Sequence, residues 1–283
     1  MSRNYLSKTG KRFILGFQGR TIPPFLEQFA EKFGLGGVII YKRNFDSAEN
    51  LGKLIAEITR QLHPDIIAVD QEGGEKSRIS WIDIPSAREL GEMGDQAKIY
   101  QEYNKVGKAL ADLGFNLNLA PVCELGTKGS YIYQRSFGQK AGYVAACVRE
   151  AVRGLMDGGV NSCLKHFIGL THTEIDPHQE LPKSRFIPEE LIPFKTGVDQ
   201  GARFLMTTHI IIPGISPLPL TFSKECIAYI RRELGFKGEI ITDDLMMGAL
   251  SSYTLKERVA RSLNAGYDRV LISVANDQIS GIL

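Results

Sequence analysis

Short apolar runs recur along the chain at residues 13–17, 37–41, 66–70, 115–120, 160–166, 203–208, 239–243 and 269–274. Most are continuously apolar, the pattern of strands covered on both faces, as in a parallel sheet flanked by helices. Between them lie stretches that read as helices, at 23–33, 47–62, 96–113, 143–157, 188–200, 223–234 and 254–265. Ser223 and Thr254 stand where N-cap side chains are wanted, and glycine follows several helices, as at Gly34, Gly114 and Gly266. Strands and helices alternating from end to end predict an α/β fold, a (β/α)8 barrel in one domain over residues 1–283. A doubly wound sheet is the weaker alternative, because Gly16-Phe17-Gln18-Gly19 does not match the dinucleotide-binding turn. Nine residues follow Val274, too few for the helix that usually ends such a barrel. The expectation is a barrel lacking its last helix, or a truncated sequence. The apolar face near Phe13 and Leu271 is then left for a dimer contact or another cover.

Composition changes this picture little. At ~150 residues per domain the length suggests two domains, but no linker separates two unlike halves, and barrels commonly run longer. The chain is 43% hydrophobic and 23% charged, with 34 basic and 32 acidic residues. That is ordinary for a folded soluble protein and shows no basic run for a nucleic-acid partner. Cys123, Cys147, Cys163 and Cys226 lack the close spacing of a zinc or redox motif and read as buried thiols. The segment Met1–Arg12 is polar and basic, and the apolar run after it, Phe13–Phe17, is too short for a signal core or a membrane span. A reducing, cytoplasmic setting without membrane partners is expected.

Chemistry in such a barrel gathers where strands end at their C-terminal side. Those ends carry Asp70, Lys165-His166, His209 and Asp243. Asp70 opens Asp70-Gln71-Glu72-Gly73-Gly74, a carboxylate followed by a turn whose glycines admit close backbone approach or positive φ. Alone it would pass for a helix cap. Arg78 and Arg135 are loop arginines able to fork onto hydroxyls or a carboxylate, although either alone reads as a surface charge. Three of the five histidines fall within residues 166–178. In an extended Asp176-Pro177-His178 the two side chains can share one side. Asp176 then accepts from one imidazole nitrogen and leaves the other free to carry a proton. At Asp243-Asp244 the alternation of a strand predicts that only one carboxylate faces the pocket. Met246 and Met247 read as packing.

Taken in order, these segments resemble family 3 glycoside hydrolases, in particular the single-barrel bacterial β-N-acetylglucosaminidases. The matching stretches include Val38 to Phe45, Ala68 to Gly74, Leu119 to Val122, Arg135 to Gly138, Lys165-His166-Phe167, Asp176-Pro177-His178 and Gly235 to Gly248. The resemblance implies a retaining exo-hydrolase of terminal β-linked N-acetylglucosamine, with peptidoglycan-derived muropeptides as substrates and no metal or cofactor. It implies Asp243 as nucleophile, His178 as acid/base and Asp176 as its orienting partner. Asp70, Arg78, Arg135, Lys165 and His166 fall where the family grips the sugar. It leaves the chain as a monomer or weak homodimer with a carbohydrate as its partner.

The chain also departs from that pattern. The family usually has Pro, His, Gly and Asp where this sequence has Ile168, Leu170, Thr171 and His172, Ser in place of Pro177, and commonly Arg in place of Glu75. Fewer glycines and an added proline predict a restricted loop before His178. Three other readings stand beside the first: a family 3 β-glucosidase or β-xylosidase, a catalytically degenerate sugar-binding paralogue, and a metal-dependent barrel hydrolase. The last would use His166, His172, His178, His209 and Asp243, although Lys165 beside His166 disfavours a bound cation.

Overall fold

The computed structural model describes residues 9–282, so most of the basic N-terminal segment lies outside the described residues. Eight parallel strands close into a barrel in sequence order: β1 (Phe13–Leu15), β2 (Gly37–Ile40), β3 (Ile66–Val69), β4 (Leu117–Asn118), β5 (Asn161–Phe167), β6 (Phe204–Thr207), β7 (Glu239–Asp244) and β8 (Arg269–Ile272). β8 returns to β1 through Phe13–Val270 and Leu15–Ile272. Each apolar run of the sequence supplies one strand. β4 is the shortest: Asn116 Oδ1 accepts the Ile67 amide at 2.8 Å in place of a ladder carbonyl, and Pro121 has no amide to donate.

The helices are α1 (Pro24–Phe33), α2 (Ala48–Leu62), α3 (Ala87–Met93), α4 (Gln96–Leu113), α5 (Ala141–Asp157), α6 (Leu191–Asp199), α7 (Lys224–Glu233) and α8 (Leu255–Ala265). Only α3 lacks a counterpart among the helical stretches read from the sequence. Its start is fixed by a capping box, with Ser86 taking the Glu89 amide and the Glu89 carboxylate taking the Ser86 amide.

Two apolar layers hold the barrel. Inside it, Ile14, Ile39, Ala68, Leu117, Ile241 and Leu271 pack together; between strands and helices lies the larger layer, which includes Phe13, Phe29 and Phe33. Each of the larger side chains among them contributes about 1.5–3 kcal/mol on burial. The bare face expected near Phe13 and Leu271 does not exist. Leu271 points into the barrel, and Phe13 is buried with its ring 5.7 Å from that of Phe29 on α1. A short 3-10 helix, Asp277–Gly281, follows β8, packs on α1 and buries Ile279.

The register breaks in two places at the C-terminal ends, in β5 between Leu164 and Phe167 and in β7 between Ile241 and Asp244. Such irregularities re-aim neighbouring side chains. Both coincide with the ionisable residues of the site.

Candidate active site

The loop after β3 is organised from beneath by the buried amide of Gln71. Its oxygen accepts the amides of Arg78 and Ile79 at 2.8 and 3.0 Å, while its nitrogen donates to the Ile82 carbonyl at 2.8 Å. Asn118 in β4 clamps the Gln71 backbone on both sides, at 3.0 and 2.9 Å. Gly73 has φ +110°, and a Cβ there would lie 2.3 Å from the Pro85 carbonyl, so the turn requires glycine. This scaffold carries Arg78 back over Asp70, where Nη2 donates to Oδ2 at 2.8 Å.

Lys165, buried at the end of β5, donates to Asp70 Oδ1 and lies 2.6 Å from Glu72 Oε1. Arg135 forks onto Glu72, with Nε on Oε2 at 2.9 Å and Nη2 on Oε1 at 2.6 Å. Two carboxylates and three cations therefore interlock at the mouth of the barrel. Burial pushes the Glu72 carboxyl up, but Arg135 and Lys165 outweigh it and hold it well below the usual range. His166 continues the network. Arg135 Nη2 lies 3.1 Å from its Nε2 and can only donate, so Nδ1 carries the proton and donates to Glu124 Oε2 at 3.2 Å. The same carboxyl oxygen accepts the His166 amide at 2.7 Å. Burial, then Arg135 and Lys165, pull the imidazole well below its ordinary pKa, so His166 is neutral.

Asp176 and His178 meet as the sequence suggested, with Oδ1 to Nδ1 at 2.8 Å and Oδ1 to the His178 amide at 2.9 Å. The segment is a turn and not extended: the amides of Gln179 and Glu180 both reach the Asp176 carbonyl. Nδ1 is thus taken by a carboxylate, which leaves Nε2 for the cavity. Burial raises the Asp176 carboxyl, but its bonds to His178 prevail and lower it. Further contacts fix the turn. Gly248 and Ala249, just after β7, donate their amides to the carbonyls of His178 and Pro177 at 3.0 Å each, and Tyr131 donates its amide to Thr173 at 2.8 Å.

Asp243 and Asp244 both border the cavity, contrary to the alternation expected of a strand. The register break in β7 is the cause. Asp244 is otherwise engaged, with Oδ1 accepting the amides of Ser273 and Met246 at 2.9 and 3.0 Å. Of the two methionines only Met247 is buried; Met246 is 42% exposed.

A cavity of about 280 Å³ brings together Asp70, Arg78, Arg135, Lys165, His166, His178 and Asp243. Asp176 sits one step outside, on a larger cavity of about 650 Å³ that shares Lys76, Tyr131, Arg135 and His178 with the first. Tyr41, Arg43, Glu72, Glu124 and Tyr131 were not singled out in the sequence. Glu72 had a signal, two residues after Asp70; so had Glu124, a lone carboxylate in the apolar run Ala120–Leu125. His209 and His172 stand apart from the cavity. The His209 nitrogens contact Thr221 Oγ1 at 2.6 Å and the Asp244 carbonyl at 2.8 Å. His172 Nε2 lies 2.6 Å from buried Glu190, outside hydrogen-bond alignment. Of the residues in the metal-hydrolase reading, His172 and His209 therefore stand apart from His166, His178 and Asp243. All four cysteines are buried and free. Among the described residues no helix is long and apolar enough to cross a membrane.

Comparison with known proteins identifies the family. The glycosyl hydrolase family 3 N-terminal domain matches residues 26–282. A β-hexosaminidase of Neisseria meningitidis serogroup B is 36% identical over 256 residues, covering 84% of this chain and 71% of the relative. The structure of a family 3 β-N-acetylglucosaminidase from Paenibacillus superposes with a TM-score of 0.90 at 32% identity, over 95% of this chain and 55% of the other. NagZ from Neisseria gonorrhoeae, in complex with N-trifluoroacetyl-D-glucosamine, superposes at 0.83 with 31% identity, over 92% of this chain and 81% of its own. With its barrel matched almost end to end, this chain belongs to glycosyl hydrolase family 3 and is a glycoside hydrolase.

Proposed function

We propose that the chain removes terminal β-linked N-acetylglucosamine with retention of configuration, acting on peptidoglycan-derived muropeptides in the cytoplasm. The carrying observation is that Asp243 and His178 border one cavity, with His178 Nδ1 bound to Asp176. In this reading Asp243 attacks the anomeric carbon while His178 Nε2 protonates the departing oxygen. A covalent glycosyl ester on Asp243 results. The same nitrogen then takes a proton from water, which displaces the sugar from Asp243. Asp70, Arg78, Arg135, Lys165 and His166 present donors and acceptors to the sugar hydroxyls from a rigid, mutually bonded floor. The name of the Paenibacillus relative supports N-acetylglucosamine as the sugar, and that of the neisserial relative a hexosamine.

The test is turnover of chromogenic N-acetyl-β-glucosaminide, β-glucoside and β-xyloside, together with trapping by a fluorinated N-acetylglucosaminide. A sugar adduct located on Asp243 by mass spectrometry, lost in Asp243→Ala, is expected. Preference for the glucoside or xyloside would change the sugar. Calorimetric binding of N-acetylglucosamine without turnover would make the chain a sugar-binding paralogue. Stoichiometric zinc required for turnover would overturn the mechanism.

A further inference from the structure

Tyr131 stands at the divide between the two cavities and borders both. Its hydroxyl lies 3.2 Å from His178 Nδ1, its ring 6.4 Å from the imidazole, and Arg135 Nη1 donates to the hydroxyl at 3.5 Å. Its backbone is pinned too: the Tyr131 amide reaches the Thr173 carbonyl, and Thr127 Oγ1 reaches the Thr171 carbonyl at 2.7 Å. One loop thus holds the His178 segment by its backbone and touches the imidazole with a phenol.

The contact has a definite polarity. His178 Nδ1 already donates to Asp176 and Arg135 can only donate, so the acceptor for the Tyr131 proton is the Asp176 carboxylate, which that hydrogen bond helps to lower. Burial raises the Tyr131 hydroxyl to about 12, which keeps that proton in place at neutral pH. More than half of the His178 side chain is solvent-exposed, so apolar packing does little to hold the ring.

We propose that Tyr131 is a positioning residue that fixes the His178 ring and ties the Asp176–His178 pair to the Arg135–Glu72 network. The proposal rests on the reading of His178 as acid/base. A phenol donating toward Asp176 withdraws charge from the carboxylate that holds the His178 proton. Its removal leaves the ring less fixed and its proton held more tightly.

Tyr131→Phe keeps the ring and the backbone bonds and removes only the hydroxyl. On N-acetylglucosaminides, kcat/KM for a poorly departing alkyl group is expected to fall roughly tenfold. For dinitrophenolate, which leaves without protonation, kcat/KM should stay within about twofold, because that ratio covers only the steps up to departure and not the later attack of water on the Asp243 ester. A uniform loss across leaving groups, or no loss, overturns the proposal. A second readout needs no turnover: NMR relaxation of the His178 ring, expected to report a more mobile imidazole in Tyr131→Phe. If the wild type cleaves no N-acetylglucosaminide, the functional reading fails. The relaxation then decides Tyr131 alone, and an unchanged His178 ring overturns its role.

Discussion

Gly248 donates its amide to the His178 carbonyl at 3.0 Å, joining the loop after the Asp243 strand to the turn that carries the imidazole. The approach is close enough to exclude a side chain. A Cβ on Gly248 would lie 2.5 Å from the His178 carbonyl and 2.6 Å from that of Gln179. Gly248→Ala must push the turn outward. Displacement of a reacting group by about 1 Å costs roughly 10²-fold in rate, and overpacking costs about 1–3 kcal/mol. Loss of turnover with a modest fall in melting temperature is expected; full activity in the alanine variant would show that this contact does not set the position of His178.

Glu72 is the buried carboxylate on which Arg135 and Lys165 converge. Glu72→Gln leaves two cations short of a partner and is expected to cost about 3–5 kcal/mol. The pH dependence has a definite sign. The folded carboxyl lies well below its unfolded value, so its stabilisation is complete above the unfolded pKa and is lost as pH falls through the folded one. Denaturant titrations at neutral pH and in acid should find the gap between wild type and variant narrowing in acid. A constant gap would contradict the ionised assignment.

Glu124 titrates in the opposite sense. Burial raises its carboxyl to about 8, from an unperturbed 4.5. A folded acid with a raised pKa contributes least where it must ionise, so stability should decline as pH rises from about 4.5 toward 8. Glu124→Gln keeps an oxygen for the His166 amide and removes this slope. Between pH 5 and 8 the wild type should lose on the order of 2–4 kcal/mol relative to the variant. Parallel stability curves would mean that Glu124 is ionised throughout.

Asp176→Asn retains an acceptor for His178 Nδ1 but removes its charge. Because Asp176 sits on a partly exposed turn, the melting temperature should scarcely change. For a substrate with a poor leaving group, kcat should fall about 10²-fold or more, with KM held. A variant as fast as the wild type on such a substrate would remove Asp176 from the acid/base pair.

The barrel could be read from the sequence because continuously apolar strands and glycine-terminated helices repeat all along the chain. The capped helix α3 escaped notice, being only seven residues long with its signal in Ser86 and Glu89. Side-chain direction was less legible. Alternation assigns one of Asp243 and Asp244 to the pocket, whereas the break between Ile241 and Asp244 turns both toward it. Leu271 was placed on the outer surface, but pairing with Asp244 at that same break leaves it inside the barrel. Asp176 and His178 were expected to meet and do, but across a turn and not across an extended segment. Glu72, Glu124 and Tyr131 depend on partners 63, 42 and 47 residues away, which no local pattern encodes.

The His178 turn, fastened to both neighbouring loops by backbone amides, bears on how the cavity can choose among ligands. A segment that docks only on the correct ligand can use closure as a checkpoint, spending part of the binding energy to reject near-misses. Here backbone bonds within the chain itself dock the segment, an arrangement that lowers the entropic cost of capture. The less of the binding energy that goes into docking, the more the discrimination rests on the walls of the cavity.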